Sequence, residues 1–288
     1  MKRILLGLLI RLNFLFPDKL FLQIRYYLEM GKHLDLKNPQ TMNEKLQWLK
    51  LYNRKPEYTT MVDKILVKEY VANIIGEEYI VPLIGVWNSP EEIDFDSLPN
   101  QFVLKTNHSG GNTGVIIVKD KSKIDRKAIK EKLQSSMKSD IYATYREWPY
   151  KNVVRKVFAE AYLGDDLADY KFYCYNGYAD AVMICVDRQV GDPKFYFFDK
   201  EWNLKRYNQR GKDAPIDFTL PKPEGVDKMF ELASILSNDI PYARVDFYNI
   251  NGKIYFGEIT FFPASGFDKN RLPESDLLFG KMIKCNLI

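Results

Sequence analysis

An α+β fold is what this sequence predicts, on three observations. Apolar residues recur at helical spacing between about Pro17 and Gly76. The middle of the chain has a strand, a glycine-rich turn and a second strand in immediate succession. The C-terminal part carries repeated runs of Val, Ile, Phe and Tyr broken by turn residues, with one helical stretch among them. Helices, then a β-flap, then a larger antiparallel sheet is the order of an α+β protein rather than the strand–helix alternation of a parallel sheet.

Composition sets the outer limits. A chain of 288 residues with 46% hydrophobic and 28% charged side chains can bury a sizeable core, which excludes wholesale disorder. The net charge of +4 is too small to imply nucleic acid and suits an anionic ligand or a membrane surface. Cys174, Cys185 and Cys285 form no motif, and so sparse and odd a set fits a reducing cytoplasm.

The first residues, Met1-Lys-Arg-Ile-Leu-Leu-Gly-Leu-Leu-Ile-Arg11, begin like a secretory signal. Arg11, Asn13, Pro17 and Asp18 then interrupt the apolar run, and no small-residue cleavage site follows. The run is too short to span a bilayer. A helix packed on the body of the protein is expected, with docking at the inner face of the membrane as the alternative.

Asn38-Pro39 is a turn signal, and Thr41-Met-Asn-Glu44 has the capping-box spacing that opens a helix through Trp48 and Leu51. A second helix is expected from about Thr60 to Ile75, with Val62, Leu66, Tyr70 and Ile74 at i+4 spacing and Gly76 to end it. Short strands follow around Ile80–Val86. Gln101–Lys105 reads as a strand entering His108-Ser-Gly-Gly-Asn-Thr-Gly114, and Val115–Val118 as the strand leaving. The Walker spacing is absent, so this is a flap rather than a P-loop. Its amides can cradle phosphate oxygens with Lys105 adding positive charge; a plain surface hairpin is the competing reading. Arg126–Lys138 reads as a charged helix and Tyr142–Asn152 as irregular. Strands resume at Val157–Tyr162, Asp169–Tyr175, Ala179–Val186 and Lys194–Phe198, with the polar link Gly164-Asp-Asp166 after the first, and a helix covers Glu224–Leu236.

The last hairpin, Ala243 to Thr260, turns at Asn251-Gly252. A two-residue turn pairs Ile250 with Lys253 and sets Asp246 opposite Gly257, which leaves Glu258 on the other face. A register one residue longer, from a three-residue loop or a bulge, sets Asp246 opposite Glu258 and Arg244 opposite Thr260. The residues alone leave both open.

Several separated stretches carry a resemblance: Asn38-Pro-Gln-Thr-Met-Asn-Glu-Lys-Leu-Gln-Trp-Leu49, Phe102-Val-Leu-Lys-Thr-Asn-His108, Asp169-Tyr-Lys-Phe172 and Gly257-Glu-Ile-Thr-Phe261. With these motifs in order, the chain resembles the ATP-grasp proteins, and among them the TupA-like group of bacterial polysaccharide and teichuronopeptide biosynthesis. The resemblance implies an ATP-grasp fold with an N-terminal helical region (1–85), a lid subdomain with the flap (86–158) and a larger antiparallel C-terminal subdomain (159–288). It implies ATP held between two β layers. Lys64 and Lys105 take the places of phosphate-binding lysines, and Ser109, Gly110, Gly111 and Gly114 belong to the loop that closes over the phosphates. Glu160, Ala161 and Leu163 match the hinge at adenine; Asp169 and Lys171 fall on the ribose or phosphate side. Arg244 matches the arginine that stabilises phosphoryl transfer, and Asp246 and Glu258 match the magnesium-binding carboxylates, which demands the longer register. Manganese is the alternative ion. Thr260 stands where these ligases commonly carry an asparagine ligand, and Phe261-Phe-Pro-Ala-Ser265 replaces a Pro-Gly turn, which puts a second metal in doubt.

The implied activity is a magnesium-dependent carboxylate–amine ligase working through an acyl phosphate. Its implied partners are a carboxylate-bearing sugar or glycan precursor, as in capsule-type polysaccharides, and an amine or amino acid. His108 acts in this reading on phosphate or substrate carboxylate, with a hydrogen-bonding loop role as the alternative; His33 reads as structural. A glycosyltransferase using Asp94-Phe-Asp96, and an ATP-binding protein lacking ligase activity, are the rival readings.

Overall fold

In the computed structural model, which describes residues 1–288 except 112, 166, 188–191 and 286–288, the chain begins with five helices. These are α1 (Lys2–Arg11), α2 (Asp18–Met30), α3 (Met42–Tyr52), α4 (Glu57–Val62) and α5 (Leu66–Ile75). Strands β1 (Leu83–Trp87), β2 (Phe102–Thr106) and β3 (Ile116–Val118) follow, then α6 (Arg126–Met137), α7 (Ile141–Tyr145) and β4 (Val157–Ala161). The remainder contains β5 (Ala168–Tyr175), β6 (Tyr178–Val186), β7 (Lys194–Phe198), β8 (Leu204–Lys205), α8 (Gln209–Asp213), α9 (Val226–Leu236), β9 (Ala243–Ile250), β10 (Lys253–Thr260) and α10 (Pro273–Met282). Asn112 of the glycine-rich loop and Asp166 of the polar link lie outside the described residues.

The chain forms two compact units. The smaller comprises Lys55–Tyr142 and Pro149–Leu167. Its four antiparallel strands lie in the order β1-β4-β2-β3. Phe102 and Leu104 of β2 share a face with Val157 and Ala159 of β4, since alternate residues of a strand point to the same side. On that face they pack with Val118, Ile129 and Leu133 into one buried core. Asp125 caps α6 by accepting the Lys127 and Ala128 N–H groups, both at 3.0 Å.

The helix expected over Thr60–Ile75 is two helices. The Asp63 carboxylate accepts the N–H groups of Ile65 (2.9 Å) and Leu66 (3.3 Å), so the chain breaks after α4 and restarts as α5. The division of the chain also differs from the expected boundaries. Helices α4 and α5 and strand β1 group with the flap, and a boundary after residue 158 would cut through β4. That strand is hydrogen-bonded on both edges, to β1 and to β2, so no break can fall inside it.

The larger unit comprises Met1–Arg54, Ala143–Trp148 and Ala168–Ile288. Six antiparallel strands lie in the order β10-β9-β5-β6-β7-β8. Phe172 of β5 meets Phe230 of α9 edge-on at 4.9 Å and Phe247 of β9 at 5.9 Å. Each such buried ring contributes about 1.5–3 kcal/mol over its exposed state. On the other face Phe279 of α10 lies 5.7 Å from Tyr173 and 4.6 Å from Tyr207. The expected capping box of α3 is present: Thr41 accepts from Glu44 N–H, and Glu44 accepts from Thr41 N–H. Helix α3 is tied to α10 through Asn43 and Asp276, and Gly280 is required there because a Cβ would stand 2.0 Å from Gln40 O.

The first helix packs on the protein through one side only. Only Leu9 of α1 is buried, and Ile4, Leu5 and Leu8 remain exposed. Among the described residues no helix is long and apolar enough to cross a membrane.

Candidate functional site

The residues singled out above fall into two clusters, one in each unit. In the smaller unit, β2 and β4 pair so that Val103 lies opposite Glu160 and Lys105 opposite Phe158. Glu160 and Lys105 therefore share the sheet face turned away from the α6 core. Glu160 is 6% exposed and is ion-paired with Lys105 and, at 3.0 Å, with Lys68. Lys68 Nζ also donates to Val81 O at 2.8 Å. Burial acts to raise the Glu160 carboxyl, but the two lysines outweigh it and hold the group below the usual carboxylate range. The same burial pushes the Lys68 ammonium down against the pull of Glu160.

Glu160 thus joins two lysines, a role that its expected place beside adenine did not suggest. Ala161 N–H is taken by Pro82 O at 3.0 Å, and Leu163 follows the end of β4. Lys68 was missed in the sequence. The signal was its place four residues after Lys64 in what reads as one helix, although Lys64 lies in the turn between α4 and α5.

Lys64 Nζ donates to Ser109 O at 2.6 Å and so grips the base of the flap. Ser109 is buried; its hydroxyl donates to Thr113 O (2.6 Å) and accepts from Thr106 Oγ1 at 2.7 Å. Gly110 and Gly111 are exposed at the tip. Gly114 has φ +75°, and a Cβ there would stand 2.2 Å from Ser136 Oγ, so only glycine fits. Asn107, fully buried and also missed, anchors the flap from below. It donates to Asp63 (2.8 Å) and Val154 O (2.9 Å) and accepts from Lys156 N–H (2.8 Å).

His108 does not titrate near neutrality as expected. It is 3% exposed, and burial, with Arg155 and Lys64 nearby, pushes it down to about 4. Its Nε2 lies 3.4 Å from Ser139 Oγ, and its buried Nδ1 has no hydrogen-bond partner among the described residues. At neutral pH it is an uncharged, enclosed imidazole.

In the larger unit the hairpin resolves the register. Asn251 (φ +51°) and Gly252 (φ +84°) make the two-residue turn that pairs Ile250 with Lys253, yet Glu258 stands opposite Asp246 and Thr260 opposite Arg244. A bulge between Phe256 and Glu258 absorbs the extra residue, Gly257. A Cβ on Gly257 would stand 3.0 Å from Asp246 O, so a side chain there would force the facing backbone to give by a few tenths of an ångström. On the other side of β9, β5 places Lys171 opposite Asp246 and Tyr173 opposite Arg244.

The cross-strand rows bring the charges into contact. Arg244 grips Asp246 in a bidentate pair at 2.7 Å and 2.7 Å, and reaches Glu258 Oε1 at 2.9 Å and Thr260 Oγ1 at 3.2 Å. Lys171 Nζ lies 2.6 Å from Asp246 and 2.5 Å from Asp169. Asp246 is 2% exposed, whereas the Glu258 side chain is 33% exposed. Burial opposes the charge on Arg244, but Asp246 and Glu258 restore it and hold the guanidinium protonated well above its ordinary range. Lys171 is likewise raised: burial works against it, and Asp246 more than compensates.

After β10 the chain passes through Ala264 (φ +48°) and Ser265 (φ +52°), two successive non-glycine residues in the left-handed region. Their strain is held by buried Lys50, which donates to Ser265 O (2.8 Å), Tyr145 O (2.9 Å) and Gln47 Oε1 (3.0 Å). This support was not legible in the sequence.

The Asp94-Phe-Asp96 stretch is not assembled as a metal site. Phe95 is buried and Asp96 is ion-paired with Arg126 at 2.5 Å on the surface. Among the described residues, no group of three or more His, Cys, Asp or Glu side chains is arranged to hold a metal ion.

Residues 44–284 match the sequence profile of the family described as TupA-like ATPgrasp. The chain belongs to this TupA-like ATP-grasp family. Its two antiparallel sheets and their helices are the ATP-grasp fold. No curated protein sequence matches the chain. Among solved structures it is similar to D-alanine–D-alanine ligase from Helicobacter pylori, with 16% identity over 86% of this chain and 71% of that one, at TM-score 0.46. The ligase of the same name from Bacillus anthracis shows 21% identity over 78% and 66%, at TM-score 0.43. N5-carboxyaminoimidazole synthetase from Staphylococcus aureus shows 16% identity over 86% and 61%, at TM-score 0.44. The chain spans less than two thirds of the length of the latter two.

Proposed function

We propose that this TupA-like ATP-grasp protein is an ATP-dependent carboxylate–amine ligase. The observation that carries the reading is Arg244, which holds Asp246 and Glu258 together on one face of a bulged hairpin. The family membership of residues 44–284 supports it. In this reading an oxygen of the substrate carboxylate attacks the γ-phosphorus of ATP, the bond from that phosphorus to the β,γ-bridging oxygen breaks, and ADP leaves. An amine then attacks the carbonyl carbon of the acyl phosphate, the carbon–oxygen bond to phosphate breaks, and the amine proton passes to solvent.

Phosphoryl transfer of this kind depends on cations placed around the moving phosphoryl group rather than on covalent help. Arg244 and Lys171 supply permanent positive charge in the larger unit. Lys64 and Lys105 bind phosphates in the smaller unit, Lys105 being positioned by Glu160. The exposed amides of Gly110 and Gly111, with Gly114 at the exit of the flap, cradle phosphate oxygens, and Ser109 fixes the base of that loop. Ala161 and Leu163 supply the hinge at the base, and Asp169 orients Lys171.

The donor set fits magnesium. Asp246 and Glu258 offer hard carboxylate oxygens on adjacent strands, and magnesium is commonly held by one or two carboxylates together with substrate phosphates and water. Bound there, the ion neutralises phosphate charge; manganese takes the same oxygen ligands. Thr260, hydrogen-bonded to Arg244 and 3.3 Å from Glu258, serves the cluster as an orienting hydroxyl before it serves as a ligand.

The family resemblance points to a uronic-acid-containing glycan precursor as carboxylate and an amino acid as amine. ADP release is measured over uronic acids and amino acids in pairs. A productive pair, with turnover lost in Glu258→Ala, is the expected result; full turnover in Glu258→Ala would remove the metal assignment. One observation favours a second reading, an ATP-binding protein without ligase chemistry: Asp246 is already held by both Arg244 and Lys171. Calorimetric ATP binding with no ADP released over the whole acceptor panel would select it.

A further inference from the structure

We infer that the N-terminal helix is a docking element for an anionic membrane surface. Helix α1 is apolar on two sides. At 100° per residue, Leu6, Leu9 and Ile10 fall on one side and are partly or fully buried. Ile4, Leu5, Leu8 and Leu12 fall within an arc of about 100° on the other side. Those four are 69%, 46%, 48% and 39% exposed. The chain continues directly with Phe14 (76%) and Leu15 (61%). Six large exposed apolar residues in the span 4–15 are unlike an ordinary solvated surface.

Charge selects the occupant. Residues 1–17 contain Lys2, Arg3 and Arg11 and no acidic side chain, and exposed Lys19 follows. The first carboxylate, Asp18, is engaged by Arg54 at 2.6 Å and Arg146 at 3.0 Å. On the helix, Arg11 borders the exposed apolar arc beside Ile4, and exposed Arg3 lies about 80° further round, beside Ile10. An exposed apolar strip with a cation at its edge and two further exposed cations on the same helix, which is too short to span, is the arrangement that lies in the plane of a negatively charged interface. A second copy of this chain would set these cations against one another, whereas acidic headgroups pair with them.

The test uses the full chain with phosphatidylcholine vesicles, with and without phosphatidylglycerol, read by co-sedimentation. Binding is expected only with the anionic lipid and weakens as salt rises. Ile4→Ser with Leu8→Ser, and separately Arg3→Glu with Arg11→Glu, are each expected to lower vesicle affinity at least tenfold. Because these side chains are exposed, the thermal midpoint should not move, which separates lost docking from lost folding. No binding to anionic vesicles, equal binding to neutral ones, or binding unaffected by either double substitution overturns the inference. So does a concentration-dependent dimer that the Ile4→Ser, Leu8→Ser pair dissolves.

Discussion

Glu258 stands opposite Asp246 across the last hairpin because Gly257 bulges out of β10 between them and the turn. Without that bulge, the two-residue turn would put Glu258 on the opposite face, and Arg244 would hold one carboxylate instead of two. The candidate chemistry therefore depends on one backbone irregularity.

Substituting that glycine tests the dependence. In Gly257→Val the new side chain meets Asp246 O, so the bulge must shift or the strands part. Destabilisation of about 1–3 kcal/mol is expected, together with loss of most ATP turnover. Urea unfolding and an ADP-release assay read the two effects. A variant that stays fully active and fully stable would show that the bulge is not needed.

Arg244→Lys keeps the charge and removes the fork that binds Asp246 through two nitrogens. Turnover should fall about a hundredfold or more, on the scale of losing one transition-state donor, while ATP binding falls far less. Steady-state kinetics beside calorimetric binding makes the comparison. Arg244→Met should also unfold more readily, by about 3–5 kcal/mol, because it leaves Asp246 buried with half of its partners.

In the smaller unit, Glu160→Gln removes the carboxylate that Lys68 and Lys105 share. About 3 kcal/mol of stability should be lost, since two partly buried ammoniums are left without their counter-charge. Lys68→Met should lower ATP affinity less than Lys105→Met, because Lys68 reaches the phosphates only through Glu160. Equal losses in the two lysine variants would give Lys68 a direct phosphate contact.

His108 sets a pH dependence. Its folded value of about 4 lies below the unfolded one, so between these values the unfolded chain binds more protons and acid favours unfolding. Stability from this group is complete above about pH 6.5 and is lost as the pH falls towards 4, by up to about 3 kcal/mol. The slope of the unfolding free energy over that window should flatten in His108→Gln. Activity of that variant at neutral pH should stay within about tenfold of the parent if the imidazole moves no proton in turnover.

The sequence by itself was enough for the α+β class, the capping box at Thr41 and Glu44 and the flap strands, whereas the charged residues of the two clusters, apart from Lys68, were singled out by the resemblance to the ATP-grasp proteins. The first three are local matters: periodicity, cap chemistry and turn residues act over a few positions. Four things were decided only in three dimensions. Asp63 breaks what reads as one helix, because its carboxylate competes for the N–H groups of Ile65 and Leu66. Strand β4 joins the flap sheet because both of its edges find partners there. Burial turns His108 into a neutral imidazole and makes Glu160 a bridge between two lysines, since desolvation depends on neighbours remote in sequence. The register of β9 and β10 was left open by the Asn251-Gly252 turn, and a single bulged glycine, set by how both strands bury their faces, resolved it.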